Sequence, residues 1–223
     1  MDAEKERKRI YRLCVHYGLI GPMPEGIEIK VAEPGDELRG AARLWTDEFA
    51  KCGYIPNADR PRIRVHDFPP TQHIIAKYGG AVVGNISLVI DSPLFGLPAD
   101  KAFRAEIDEH IRANGYLACE GTNWVVAEAW RKTPVNMHLF AAFKRLAERK
   151  LCACVVAEVN DRGHKVLYTL FNFDQIGDAR NSGHNPDSDH DMVVLMMVCL
   201  PSVSPSLIDF PLLYPYFTGE QHG

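Results

Sequence analysis

The segment Leu117-Ala118-Cys119-Glu120-Gly121-Thr122-Asn123-Trp124-Val125-Val126-Ala127 constrains this chain more than any other. It is apolar at both parities toward its ends, which marks a strand covered on both faces, as in the middle of a mixed or parallel sheet. Thr133-Pro134 then opens a helix whose Val135, Leu139, Ala142, Phe143, Leu146 and Ala147 make one apolar face. Leu151 to Ala157 follows at once as a second buried strand. Strand, helix and strand in that order require a parallel crossover, which is right-handed by rule. The chain is therefore α/β.

The flanking elements extend this pattern. Glu4 to Tyr17 reads as a charged N-terminal helix, followed by a linker, Gly21 to Gly26, that holds Pro22 and Pro24. Ile27 to Val31 alternates like a strand, and Gly35 to Cys52 is helical, with Leu38, Ala41, Ala42, Trp45 and Phe49 on one face. Asn57 to Pro70, rich in Pro and Arg, is expected to be irregular. His73 to Tyr78 and Ala81 to Ile90 flank Gly79-Gly80, a dipeptide that suits a tight primed turn because both positions accept positive φ. Pro98 to Asn114 is a helix bounded by Pro98 and Gly115, and Asp161 to Phe171 is a shorter one. Asp191 to Leu200 is the last strand. The expected organisation is an N-terminal helix and linker (1–26), one α/β domain (27–200) and a tail (201–223). Phe210, Tyr214, Tyr216 and Phe217 of that tail should pack on the body.

The net charge of -4 and the lack of a basic motif with interleaved aromatics argue against a general nucleic-acid binder. Met1 to Arg9 is mostly charged with no long apolar run behind it, so neither a signal peptide nor a membrane span is expected, and the cytoplasm is the expected compartment. Cys14, Cys52, Cys119, Cys152, Cys154 and Cys199 include no CxxC pair and read as reduced core residues. His184, Asp187, Asp189, His190 and Asp191 could be drawn as metal ligands, but Ser182 to Asp189 is turn chemistry throughout and predicts a solvated loop.

Within the central strand, an ionised carboxylate is costly unless it is paired or serves chemistry. Glu120 beside Gly121 is thus either a catalytic acid next to a kink or one half of a structural ion pair. Trp45, Phe49, Trp124, Phe140 and Phe143 are candidates to line an apolar binding site, or are plain core.

The order of elements matches the acyltransferase fold of the GCN5-related N-acetyltransferases: a mixed central sheet flanked by helices, here with an N-terminal helical extension. Tyr168-Thr169-Leu170-Phe171-Asn172-Phe173 resembles the Tyr-x-x-x-Gly-Phe signature of that superfamily, with Asn172 for glycine. A narrower resemblance runs over Ile90 to Asp100, Phe103, Glu106 to Arg112 and Leu117 to Val126. These segments look like the long-chain N-acyl amino acid synthases, relatives of the acyl-homoserine lactone (autoinducer) synthases. The family's Glu-x-Ser-Arg-hydrophobic region reads Glu120-Gly121-Thr122-Asn123-Trp124 here, with the hydroxyl kept and the arginine replaced. Val159-Asn160-Asp161-Arg162-Gly163-His164 resembles its Val-Asn-Pro-Arg-His with one extra residue.

The resemblance implies an enzyme that joins a fatty acyl group to the amine of an amino acid or similar small amine. Glu120 is the expected base, Thr122 keeps the family's hydroxyl, and Tyr168 is the expected donor to the leaving thiolate. Backbone N–H groups freed by an irregularity near Gly121 would stabilise the oxyanion. Asn123, Trp124, Trp45, Phe49, Phe140 and Phe143 are the expected substrate contacts. Coenzyme-A-dependent members hold the pyrophosphate on a glycine-rich turn at a helix N-terminus. In Arg131-Lys132-Thr133-Pro134-Val135-Asn136 both glycine positions are filled, and Pro134 has no N–H to give. The expected donor is therefore the acyl-phosphopantetheine of acyl carrier protein, with no permanently bound cofactor. Arg131, Lys132, Lys144, Arg145, Arg149 and Lys150 are the expected contacts for that acidic partner, although cations near a helix C-terminus are also favoured by the macrodipole alone. The alternatives are a short-chain acyl-CoA-dependent acetyltransferase and a catalytically silent binding module.

Overall fold

Two layers of helices cover a single seven-stranded sheet in the computed structural model, which describes residues 3–53, 55, 71–182 and 192–200. Asn57 to Pro70, the His184–Asp191 loop and the tail from Pro201 lie outside the described residues.

The chain begins with α1 (Ala3–His16), β1 (Ile27–Val31) and α2 (Asp36–Lys51). The hairpin β2 (Thr71–Tyr78) and β3 (Ala81–Ile90) turns at Gly79 and Gly80, with φ of 56° and 85°, as the dipeptide requires. α3 (Asp100–His110) precedes β4 (Ala118–Val126), α4 (Val135–Arg149) and β5 (Cys154–Val159). The chain continues with α5 (Asp161–Phe171), β6 (Asp174–Asn181) and β7 (Met192–Cys199). The strand order is β1-β2-β3-β4-β5-β7-β6, parallel only between β4 and β5. Among the described residues no helix is long and apolar enough to cross a membrane.

Two differences from the sequence reading have clear causes. β6 was not expected, because Asp174, Gln175, Asp178, Arg180 and Asn181 give it a polar composition with low strand preference. It is an edge strand, and charges there block further pairing. β5 begins three residues later than expected. Leu151 adopts φ 59° and closes α4 with Leu151 N–H bonded to Glu148 O and Cys152 N–H to Ala147 O, so Leu151 to Ala153 are turn.

One face of the sheet packs against α4 and α5 through Ile86, Leu88, Leu139, Phe140, Phe143, Leu170 and Phe171. The other packs against α3 through Phe103, Ile107, Ala118, Cys154 and Val156, and against α2 through Trp45 and Val125. Each face excludes water with its own cluster, which explains why β4 reads apolar at both parities. α1 rests on α5, and the linker behind it brings Gly21 O within 3.1 Å of His138 Nε2 at the start of α4.

Candidate active site

β4 and β5 are paired only at Ala118–Cys154, Cys119–Val155 and Glu120–Val156. Beyond Glu120, β4 continues beside β3 to Val126, while β5 continues beside β7 to Val159. The two central strands therefore part at Glu120, and among the described residues no strand pairs with the β5-facing edge of the rest of β4. The register between β3 and β4 slips at the same place: Ser87 faces Thr122 and Asn85 faces Val125, so Ile86 opposes both Asn123 and Trp124. This is a β-bulge, and Asn123 turns it with φ 52°, a left-handed conformation that asparagine tolerates better than most residues. The irregularity expected at Gly121 thus lies two residues further on. Gly121 serves a close approach instead: a Cβ there would stand 3.2 Å from Phe143 Cζ.

Glu120 is buried, on the α3 face. Its Oε2 accepts the Ala99 N–H at 2.8 Å, at the N-terminus of α3. This places a carboxylate at the positive end of a helix. The connection that carries Ala99 is held by Arg112, which bonds Asp91 and Asp100 at 2.8 Å and Asp108 at 2.7 Å. Asp91 and Asp100, both within the segments of the family resemblance, therefore help to locate the backbone donor that meets Glu120. Thr122, two residues along β4, is half-buried on the same face.

Tyr168 stands on the other side. α5 inserts Leu167, Leu170 and Phe171 into the α4/α5 cluster, and Tyr168 lies on its outer flank, 40% exposed. Its ring is nearly parallel to that of His164, with centroids 6.1 Å apart. Glu120 and Tyr168 do not share one wall. They flank the sheet from opposite faces. The extra residue of the Val159–His164 motif, Gly163, fits only as glycine, because a Cβ there would lie 2.9 Å from Val159 Cβ. Asn160 Oδ1 accepts the Gly163 N–H at 3.2 Å and so helps to start α5.

The aromatic candidates also divide. Trp124, Phe140, Phe143 and Phe171 form a contiguous layer over the α4/α5 face, with Trp124 and Phe140 centroids 5.6 Å apart and Phe140 and Phe171 3.9 Å apart. Trp45 and Phe49 pack on each other over the α2 face with Val125 and Ile55. A single wall made of all five expected aromatics does not exist, because alternation along β4 sends Trp124 and Val125 to opposite faces.

The basic residues are not one patch either. Arg131 is tied to the buried carboxylate of Glu48 and to Val126 O, bridging α2 to the end of β4. The stem of Lys144 is buried and its ammonium pairs with Glu148. Burial and neighbouring Arg149 both push the Arg145 guanidinium's pKa down. Lys132 is exposed at the start of α4 and Arg149 and Lys150 at its end, about 22 Å away along a helix of this length. The α4 N-terminus is also crowded. Pro134 caps it without a side-chain bond, Gly21 lies against the Pro134 ring, and the Gly18 Cα region approaches Lys132 O.

Three residues that the sequence reading passed over complete the site. His73 on β2 and Asn85 and Ser87 on β3 share the α2/α3 face with Thr122. Asn85 Nδ2 donates to Asn123 O at 2.9 Å and to Ser87 Oγ at 3.3 Å, and Asn123 Nδ2 donates to Ser87 Oγ at 3.3 Å. With its lone pairs so used, Ser87 donates its own proton to His73 Nδ1 at 2.9 Å. The signal for them was a pair of polar residues at one parity inside an apolar strand. Among the described residues no group of His, Cys, Asp and Glu is arranged to hold a metal ion.

The model of the N-acyl amino acid synthase FeeM family matches residues 40–198, which contain the parted strands, the bulge and both candidate catalytic groups. No curated protein sequence matches the chain significantly. Among solved structures, FeeM itself, an N-acyl amino acid synthase from uncultured soil microbes, superposes with a TM-score of 0.66 at 18% identity over 79% of this chain and 92% of that one. BjaI, a CoA-dependent acyl-homoserine lactone synthase, gives 0.59 at 17% identity over 86% and 90%. Escherichia coli ElaA gives 0.55 at 12% identity over 77% and 98%. At these identities the structural likenesses establish the fold, and the family match establishes the chemistry: the chain belongs to the FeeM family of N-acyl amino acid synthases and is an acyltransferase on the N-acetyltransferase fold.

Proposed function

We propose that this acyltransferase moves a long-chain acyl group from the phosphopantetheine of acyl carrier protein to the amine of an amino acid or similar small amine. The observation that carries the reading is the parting of β4 from β5 immediately beyond Glu120, with a bulge in β4 at the same level. A thioester placed in that gap meets the part of β4 that has left β5, whose N–H groups suit a developing oxyanion. An amine that is protonated at neutral pH must lose a proton before it attacks, and Glu120 on the α3 face is the base, directly or through a water. The C–N bond forms, the C–S bond breaks, the departing thiolate is protonated from the α5 face by Tyr168, and the second proton lost by the nitrogen restores the phenol. The aromatic layer of Trp124, Phe140, Phe143 and Phe171 offers the acyl chain apolar contact.

The start of α4 supports this choice of donor. Pro134 occupies the position of a cradle residue and the linker crosses close by, which suits one phosphate better than a pyrophosphate. Lys132, exposed at that end, is the cation best placed for the carrier's phosphate, and Arg149 and Lys150 lie too far along α4 to share it. Steady-state rates with the same long acyl chain on carrier protein and on coenzyme A decide the matter. Carrier protein should be the better donor, and its KM should rise with salt as exposed charge pairs are screened. A preference for acyl-coenzyme A, with no salt effect on the carrier, would overturn the donor assignment.

A further inference from the structure

Two buried polar atoms that find no hydrogen-bond partner among the described residues flank the β4 bulge: Asn85 Oδ1 and Trp124 Nε1. They lie on opposite faces of the sheet. Asn85 is paired with Val125, which belongs to the α2 cluster, whereas Trp124 stacks on Phe140 and adjoins Phe171. Their chemistry is complementary. Asn85 Oδ1 can only accept, and Trp124 Nε1–H can only donate.

The orientation of Asn85 is fixed by its neighbours. The atom 2.9 Å from the Asn123 carbonyl must be the nitrogen, because that oxygen only accepts. Both protons of that nitrogen are then used, on Asn123 O and on Ser87 Oγ. The amide is held by the same residue that makes the bulge, and Ser87 is held in turn by His73. The result is a rigid frame with one acceptor left unanswered at 1% residue exposure. A buried unmet acceptor or donor is costly, and native structures keep few of them without a reason.

Acyl transfer to an amine brings together one group rich in N–H donors and one carbonyl oxygen that gathers negative charge. We propose that Asn85 Oδ1 accepts an N–H of the incoming amine, which seats that reactant on the face of β4 that carries Glu120 and Thr122. The amine keeps two N–H bonds after giving one proton to the base. One of these points to Asn85 while the nitrogen lone pair forms the C–N bond. As the C–S bond breaks, its electrons leave with the thiolate, and the other proton of the now cationic nitrogen is lost and ends on that sulfur. This inference rests on the acyltransferase reading above and adds a residue, Asn85, that reading does not use.

The test measures both reactants in each variant. The twenty proteinogenic amino acids, their methyl esters and simple alkylamines are offered to the wild type with a decanoyl donor, and the best acceptor is carried forward. Asn85→Ala should raise the amine's KM by about 5- to 10-fold, the scale of one hydrogen bond, and leave the donor's KM unchanged. It should also narrow the preference for the primary amine over its N-methyl derivative, which general damage to the fold would not do. Trp124→Phe, on the opposite face, keeps an aromatic ring and should leave the amine's KM unchanged. If Asn85→Ala does not fold, Asn85→Ser takes its place, since it loses Oδ1 while keeping a donor. A folded Asn85 variant that shifts both reactants alike, or neither, overturns the proposal. If the wild type acylates no amine, the acyltransferase reading fails separately, and calorimetric titration with the same amines decides the seat. Binding to wild type that Asn85→Ala abolishes supports it, and equal binding or none overturns it.

Discussion

Glu120 carries two duties that a pair of substitutions can separate. Its Oε2 satisfies the Ala99 N–H at 2.8 Å, so the carboxylate serves α3 as an anchor whatever it does for substrate. Glu120→Gln keeps an oxygen for that N–H but removes the charge. A hydrogen bond to an ion contributes about 1.5–3 kcal/mol against about 0.5–1.5 for a neutral one, and a charge at a helix N-terminus adds about 0.3–1. The expected loss of stability is therefore about 1–2 kcal/mol, or about 2–8 °C in Tm for a chain of this size. Glu120→Ala removes the acceptor as well and leaves the Ala99 N–H orphaned beside a small cavity, so its loss should be about 3–4 kcal/mol.

The effect on turnover should not follow that order. A general base contributes about 10²- to 10⁴-fold, and glutamine supplies none of it. Glu120→Gln should therefore lose turnover by that factor at a temperature where it is fully folded. Circular dichroism melts, paired with saturating kinetics in both substrates, read the two effects independently. If Glu120→Gln melts as expected yet turns over within about threefold of wild type, Glu120 is an anchor for α3 and the base must be sought elsewhere.

Tyr168→Phe should cost less than the Glu120 change, because a thiolate with a pKa of about 8.5 leaves readily without help; a loss of turnover as large as that of Glu120→Gln would refute the secondary role given to it. His138 has its pKa lowered by burial, which outweighs the opposing hydrogen bond to the Gly21 carbonyl, so below its ordinary value of 6.5 the unfolded chain binds the proton first and stability falls as pH falls. A Tm series from pH 7.5 to pH 5 should show that fall in the wild type, and His138→Gln should lack this part of it; parallel curves would contradict the assignment. Leu151 is 82% exposed in a left-handed conformation that glycine adopts without strain. Leu151→Gly should stabilise the protein by about 0.5–1 kcal/mol after the entropy that glycine loses on folding, and a lower melting temperature would show that the leucine makes a contact worth more than its strain.

The fold was legible where burial on both faces left no alternative. β4, α4 and β5 announce themselves by apolar runs and a helix start, and the Gly79-Gly80 turn sets the first β2–β3 pairs, Tyr78–Ala81 and Lys77–Val82, before a bulge at Val83 shifts the register. The polar edge strand β6 was not legible, because its place beside β7 is set by pairing rather than by its own composition. Glu120 was visible as a costly charge in an apolar strand, but its partner, a backbone N–H twenty-one residues earlier, has no side-chain signature. The same limit hid the two sides of the site. Reading β4 with strict alternation puts Asn123 and Val125 on the Gly121 face, and Trp124 on that of Glu120. The bulge reverses this, sending Val125 to α2 and Trp124 to α4 and α5. Asn123 is a weak announcement of such a bulge in one sequence. It becomes a strong one only beside Asn85 and Ser87, whose shared parity in β3 places their side chains against the Asn123 carbonyl and amide. Where an apolar strand carries two polar residues two apart, their partner belongs on the neighbouring strand at the point where its alternation fails. In this acyltransferase that point is also where the central strands part.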